Sequence, residues 1–139
     1  MKKIFSIFLI AIFVFNMAIF SYAAVYEDND NERIIERFIT IVKCWNSLSL
    51  ENNGKMVCCG KTEVDNGNIA GVKVELQQLN GNWTTIKTWS NADYDYVRIQ
   101  KNWYVNSGYS YRLKVTHSAY DSNMNFIESS ISYSDVIYY

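Results

Sequence analysis

The chain has 139 residues, 13 Lys and Arg against 14 Asp and Glu, 49% hydrophobic residues and no proline. That length is one domain with enough apolar residues for a core, and the lack of proline excludes collagen, polyproline and proline-rich linker readings. A near-neutral charge with no basic block gives no electrostatic grip on phosphate backbones or anionic lipid, so neither nucleic acid nor a membrane surface is expected as a partner.

Lys2 and Lys3 open the chain, and an apolar run from Ile4 to Phe20 follows, broken only by Ser6 and Asn16. Ser21 and Ala23 then supply a small-x-small pattern, which completes the layout of a signal peptide cut after Ala23. The expectation is a secreted protein that touches the membrane only through residues 1–23 before cleavage. An uncleaved anchor is the competing reading, because the run is close to the roughly 20 residues that cross a bilayer. Removing residues 1–23 leaves 116, with 11 Lys and Arg against 14 Asp and Glu, a net charge of −3.

Residues 24–35 are polar and aperiodic and read as a flexible lead-in to a β-domain over 36–139. Ile34, Ile35, Phe38, Ile39 and Val42 fall at helical spacing, yet the run is rich in β-branched residues that favour strands. Residues 31–43 stay open between the two, with a first strand expected from about Thr40 to Leu50. Three cysteines, Cys44, Cys58 and Cys59, leave at least one unpaired. Free thiols are expected, and a bridge from Cys44 to Cys58 or Cys59 is the alternative. No C-x-x-C pair is present and the single His is remote in sequence, so neither a metal nor any other cofactor is expected.

Asn-Gly recurs at Asn53-Gly54, Asn66-Gly67 and Asn80-Gly81, each time between strand-like runs, and predicts hairpins because both positions tolerate positive φ. Met56, Cys58 and Gly60 share one face of the run after the first turn. Val72, Val74 and Leu76 alternate with Lys73, Glu75 and Gln77 after the second. Val97, Ile99, Lys101, Trp103 and Val105 form the next inward row, which lays Trp103 into the core. After Asn106-Ser107-Gly108, Tyr109, Tyr111, Leu113, Val115, His117 and Ala119 face one way and Ser110, Arg112, Lys114, Thr116 and Ser118 the other. Such alternation predicts half-buried antiparallel strands.

The stretch "VNSGYSYRLKV" resembles the penultimate strand of fibronectin type III and immunoglobulin-like domains. That resemblance implies an antiparallel sandwich in which Tyr111 takes the tyrosine-corner position, its hydroxyl bonding back to the preceding loop, with Leu113 and Val115 inward. From "ER" at Glu36 through "NNGKMVCCG", "VELQQLNGNWTTIKTWS" and "YSYRLKVT", the chain is similar to a family of small uncharacterised secreted proteins of low-GC Gram-positive bacteria. This second resemblance implies a fold and export, and no activity.

No phosphate loop, nucleophile elbow or zinc motif occurs. His117, the only imidazole, points inward by its register, where a general base has no substrate to reach. The acid pairs Asp93/Asp95 and Glu63/Asp65 sit at i, i+2, so two-carboxylate hydrolysis is the one enzymatic alternative. Aromatic residues make up 16% of the chain. Trp83, Ile86 and Trp89 are spaced by three, so either a bulge intervenes or a ring lies outside the core. Trp83 and Trp89 with Tyr94 and Tyr96 are therefore candidate ligand-binding residues of a carbohydrate module. The leading expectation is a non-catalytic extracellular interaction module whose partner is a protein, a cell-envelope component or a polysaccharide.

Overall fold

The computed structural model describes residues 39–139, so the expected signal peptide, its cleavage site at Ala23 and the lead-in 24–35 lie outside the described residues. The described chain is an all-β sandwich. Its strands are β1 (Ile41–Glu51), β2 (Lys55–Val64), β3 (Ile69–Asn80), β4 (Asn82–Tyr94), β5 (Tyr96–Tyr104), β6 (Ser110–Tyr120), β7 (Phe126–Tyr133) and β8 (Ile137–Tyr138). One sheet runs in the order β1-β2-β5, the other β4-β3-β6-β7, and β8 takes over from β7 beside the first residues of β6. Every pairing is antiparallel.

Period-2 alternation places the core. Met56, Cys58, Thr62, Val97 and Ile99 face Val72, Val74, Leu76, Tyr111, Leu113 and Val115, and all of these are buried. Gly60 lies at a close approach of the two sheets: a Cβ there would stand 2.6 Å from Val74 Cγ2 and 3.1 Å from Val115 Cγ1. The glycine is needed for distance, since its own backbone is ordinary strand.

The Asn-Gly turns divide into two kinds. Asn53 and Gly54 (φ 61 and 73) turn β1 into β2, and Gly81 (φ 72) turns β3 into β4, both within one sheet. The middle one is not a hairpin, because β2 and β3 belong to different sheets. Asn66-Gly67 is a corner, held by Gly67 N–H donating to Asp95 Oδ1 at 2.8 Å. Asp95 (φ 59) is itself the single residue on which the chain passes from β4 back to the first sheet; its carbonyl accepts from Val64 N–H and its N–H donates to the Asn68 carbonyl, each at 2.9 Å.

Trp103 requires a correction. It shares the inward row of Val97 and Ile99, but β5 is the border strand of its sheet, and past Ile99 the row looks toward the edge of β4 and not toward the middle of the other sheet. Trp103 is 37% exposed. Its ring meets Trp89 edge to face at 6.4 Å, and Lys87 Nζ lies 4.4 Å from its centroid, so it closes the side of the sandwich.

Tyr111 is wholly buried and donates its hydroxyl to the Asn106 carbonyl at 2.7 Å, bracing the loop between β5 and β6. Tyr111→Phe should lose about 1 kcal/mol for the hydrogen bond and Tyr111→Ala about 3 to 5 kcal/mol for the cavity. Urea unfolding of the two variants measures both, and a neutral alanine variant would mean the ring is not packed as described. Gly60→Ala should cost about 1 to 3 kcal/mol by overpacking; unchanged unfolding of that variant would show that the sheets have room to separate.

Candidate functional site

The four rings predicted as one aromatic platform are spread over the molecule. On β3 the even residues Val72, Val74 and Leu76 face the core, and on β4 their partners are Asn91, Trp89 and Lys87. The register then slips, Leu76 pairing with Lys87 but Gln77 with Thr85, so Ile86 is the extra residue of a bulge. Trp83 consequently falls on the outer face and Trp89 on the inner one. Tyr94 shares the outer face with Trp83 but stands 11 residues along the strand, about 36 Å away. Tyr96 lies on the outer face of the other sheet, with Lys61 Nζ 4.7 Å from its centroid.

The acid pairs are dispersed as well. Asp95 leaves the strand at its positive φ and spends a carboxylate oxygen on Gly67, while Asp93 Oδ1 accepts from Tyr94 N–H. Asp65 lies beyond the end of β2, and Glu63 pairs with Lys61 at 3.3 Å. Cys44 faces Thr62 whereas Cys58 faces Leu48, four residues further along, which separates their Cα atoms by about 13 Å, beyond the reach of a disulfide. Cys59 is on the opposite face from Cys44, with Arg98 Nε donating to its sulfur at 3.4 Å. Burial pushes the Cys58 thiol up to about 12, with Cys59 adding to the shift, and burial aided by the Glu128 charge pushes Cys44 to about 11. Neither is a thiolate nucleophile at neutral pH.

His117 is sealed between the sheets. Its Nδ1 is 2.9 Å from Thr62 Oγ1 and its Nε2 is 2.8 Å from Ser132 Oγ, which also accepts from Asn46 Nδ2 at 2.7 Å. All four groups are satisfied when Ser132 donates to Nε2 and Nδ1–H donates to Thr62. Desolvation by burial lowers the imidazole to about 4, with a backbone bond to Lys61 opposing it. A serine bonded to a neutral imidazole is the pair acyl transfer uses, but this imidazole is fully enclosed and weakly basic. Among the described residues no three His, Cys, Asp or Glu side chains stand together as a metal site.

The assembled surface is the outer face of β4-β3-β6-β7, and it is organised around Arg112, which strand parity assigns to the wet side of β6, with the candidate Trp83 beside it. Arg112 on β6 places its guanidinium carbon 4.2 Å from the Trp83 ring centroid and 4.4 Å from that of Tyr133. Its Nε donates at 2.9 Å to Oε1 of Gln77, which is buried. Beside this ladder, Glu75 Oε2 has no hydrogen-bond partner, and Lys73 at 3.5 Å and Lys114 at 3.9 Å balance its charge. Ile131 and Tyr133 are each about half exposed on the same face. At the far end a trough of about 520 Å³ is floored by Gly71, Ser90, Ala92 and Ser118 and walled by Tyr120 and Met124. The signal that finds Arg112 is its strand parity: it alternates with Tyr111 and Leu113 and lies level with Gln77. Its contact with Trp83 depends on the bulge at Ile86, one of the two readings that the spacing of three between Trp83, Ile86 and Trp89 leaves open.

A scan against models of known protein families finds no match to the chain, and a search of curated proteins finds none either.

The proton linkage of His117 has a definite sign. An imidazole at about 4 when folded, against about 6.5 when unfolded, binds its proton more readily in the unfolded chain between those values, so its contribution is complete above about pH 6.5 and is lost as the pH falls toward 4. The loss is at most about 3 kcal/mol. Glu128 adds a loss lower in the range: burial pulls its carboxyl up, but the N–H groups of Ile41, Thr40 and Ile39 hold it below its ordinary value. In His117→Gln the pH dependence of unfolding between pH 6.5 and 4.5 should flatten; a slope equal to that of the parent would show that His117 is not the group titrating.

Proposed function

We propose that the chain is a secreted bacterial sandwich of the fibronectin type III kind, acting as a non-catalytic interaction module that binds a protein or cell-envelope component through the outer face of β4-β3-β6-β7. The fibronectin-like assignment is supported by the strand order, in which the fourth strand lies beside the third; in constant immunoglobulin domains it lies beside the fifth. The Tyr111 to Asn106 bond at the corner supports it too. Export rests on the leader-like residues 1–23.

The observation that carries the binding reading is the ladder Trp83, Arg112, Tyr133 with Ile131 beside it. Trp, Tyr and Arg dominate binding hot spots because they combine buried area with directed hydrogen bonds, and here they are held in register on an open sheet. The non-catalytic part rests on the enclosure of His117 and the dispersal of the acid pairs. A polysaccharide-binding role draws less support, since the four rings proposed for it lie on three different surfaces.

The test is capture from the producing cell's surface fraction by the immobilised protein, run beside a glycan array. An Ile131→Ala, Tyr133→Ala double variant should lose capture, while its stability stays within about 1 kcal/mol of the parent, as for exposed positions. Tyr104→Ala, an exposed ring of the other sheet, should capture normally. Equal capture by all three proteins would refute the assigned face, and retention on a glycan in place of a protein would move the function to carbohydrate binding.

A further inference from the structure

Arg112 is fixed on three sides. Its guanidinium carbon lies over the Trp83 and Tyr133 rings, 4.2 and 4.4 Å from their centroids, and a buried amide oxygen takes its Nε–H. Among the described residues no carboxylate lies within 4.0 Å of it, and its terminal nitrogens make no hydrogen bond. A planar fork of donors held in this way loses little entropy on meeting a carboxylate, which it matches with two parallel N–H···O bonds. Its surroundings favour an anion. Lys73, Lys114 and Arg112 share the outer face with only Glu75, which both lysines already face, so this surface is positive although residues 24–139 carry a net charge of −3.

We propose that Arg112 is a carboxylate-binding site and that the occupant of this face is an acidic polypeptide segment, whose Asp or Glu side chain engages the guanidinium while neighbouring apolar side chains lie on Ile131 and Leu79. A peptide is favoured over a uronic-acid polysaccharide for two reasons. Leu79 and Ile131, both exposed, offer contacts that only apolar side chains use well. In addition, Trp83 and Tyr133 each have one ring face already taken by the guanidinium, leaving no facing pair of rings free for a sugar. This inference rests on the outer face being the binding face.

The experiment measures binding of a fluorescent glutamate-rich peptide to the purified protein by anisotropy at low salt. Wild type should bind, and binding should weaken as salt is raised. Arg112→Lys keeps the charge but loses the fork, and Arg112→Gln loses both; each should weaken binding at least tenfold. Lys43→Gln, an exposed cation of the other sheet, should bind as wild type does. Thermal melts of each variant confirm folding, and a folded Arg112→Lys protein that binds as wild type would overturn the proposal. So would polygalacturonate competing as well as the peptide at equal charge. If the Ile131, Tyr133 double variant loses surface-fraction capture while Arg112→Lys keeps it, the carboxylate assignment fails and the interaction face stands. Should neither lose it, the face itself is wrong.

Discussion

Two sheets that bury their inner faces against each other leave the chain with places where it has to pass between them, and each passage takes backbone groups out of a ladder, where other partners have to replace it. A buried N–H or C=O without a partner costs about as much as a lost hydrogen bond. Here the passages are tied together. Asp95 serves two at once, bonding Val64 and Asn68 through its backbone and Gly67 through its carboxylate. Tyr111 braces the third through the Asn106 carbonyl, and nearby Val105 N–H donates to the Gly54 carbonyl. Tyr139 belongs to the same arrangement: it exchanges backbone bonds with Tyr109, and its ring would stand 2.7 Å from a Cβ placed on Gly54. These corners help to fix where the alternating strands start.

With the corners set, the described interior has a polar inclusion. The chain Asn46, Ser132, His117, Thr62 runs from one sheet to the other and back, so its first and last hydrogen bonds cross the space between the sheets. Such a network adds little net stability, since each bond replaces one to water, but it penalises slippage: shifting β7 by one residue would strand a buried imidazole. The same geometry accounts for the weak basicity of His117 and for its remoteness from chemistry. Glu128, on β7 as Ser132 is, fixes the other end of that strand by collecting the N–H groups of Ile39, Thr40 and Ile41 where β1 begins.

How far the sequence could be read depends on how local each cause is. Strand identity is local, and the alternation in β2, β3 and β6 named Met56, Val74, Leu113 and Val115 as core correctly because a two-residue period has only one way to bury its apolar set. Whether a strand's partner lies in the same sheet is not local. Asn66-Gly67 and Asn80-Gly81 carry the same dipeptide, yet one is a corner and the other a hairpin, and the difference is made by Asp95, 28 residues beyond Gly67. Burial at a border strand is not local either. Trp103 has the right parity and still meets solvent, because parity assigns a face and not a depth. The bulge at Ile86 was present in the sequence as the spacing of three between Trp83, Ile86 and Trp89; what it did to the candidate site, sending the two tryptophans to opposite faces, follows only from the register with β3.

That bulge connects fold to surface. Edge strands are pairing hazards, and a bulge with an inward lysine is one way to blunt them; β4 has both, at Ile86 and Lys87. The inversion that protects the edge also brings Trp83 onto the outer face, level with Gln77 and Arg112. Without it Trp83 would point at the core with Trp89, and the guanidinium would lose one of its two rings. The outer face of the other sheet shows what an unspecialised surface of this chain looks like. There Lys55 pairs with Glu51 at 2.8 Å and Lys61 with Glu63 at 3.3 Å, while Arg98 donates to Cys59 Sγ and Gln100 Oε1 and, among the described residues, has no pair of rings beside it. Arg112 differs in lying against two rings with only its Nε hydrogen-bonded. A side chain held by three neighbours with its terminal donors open is the feature of this face on which the proposed binding role rests.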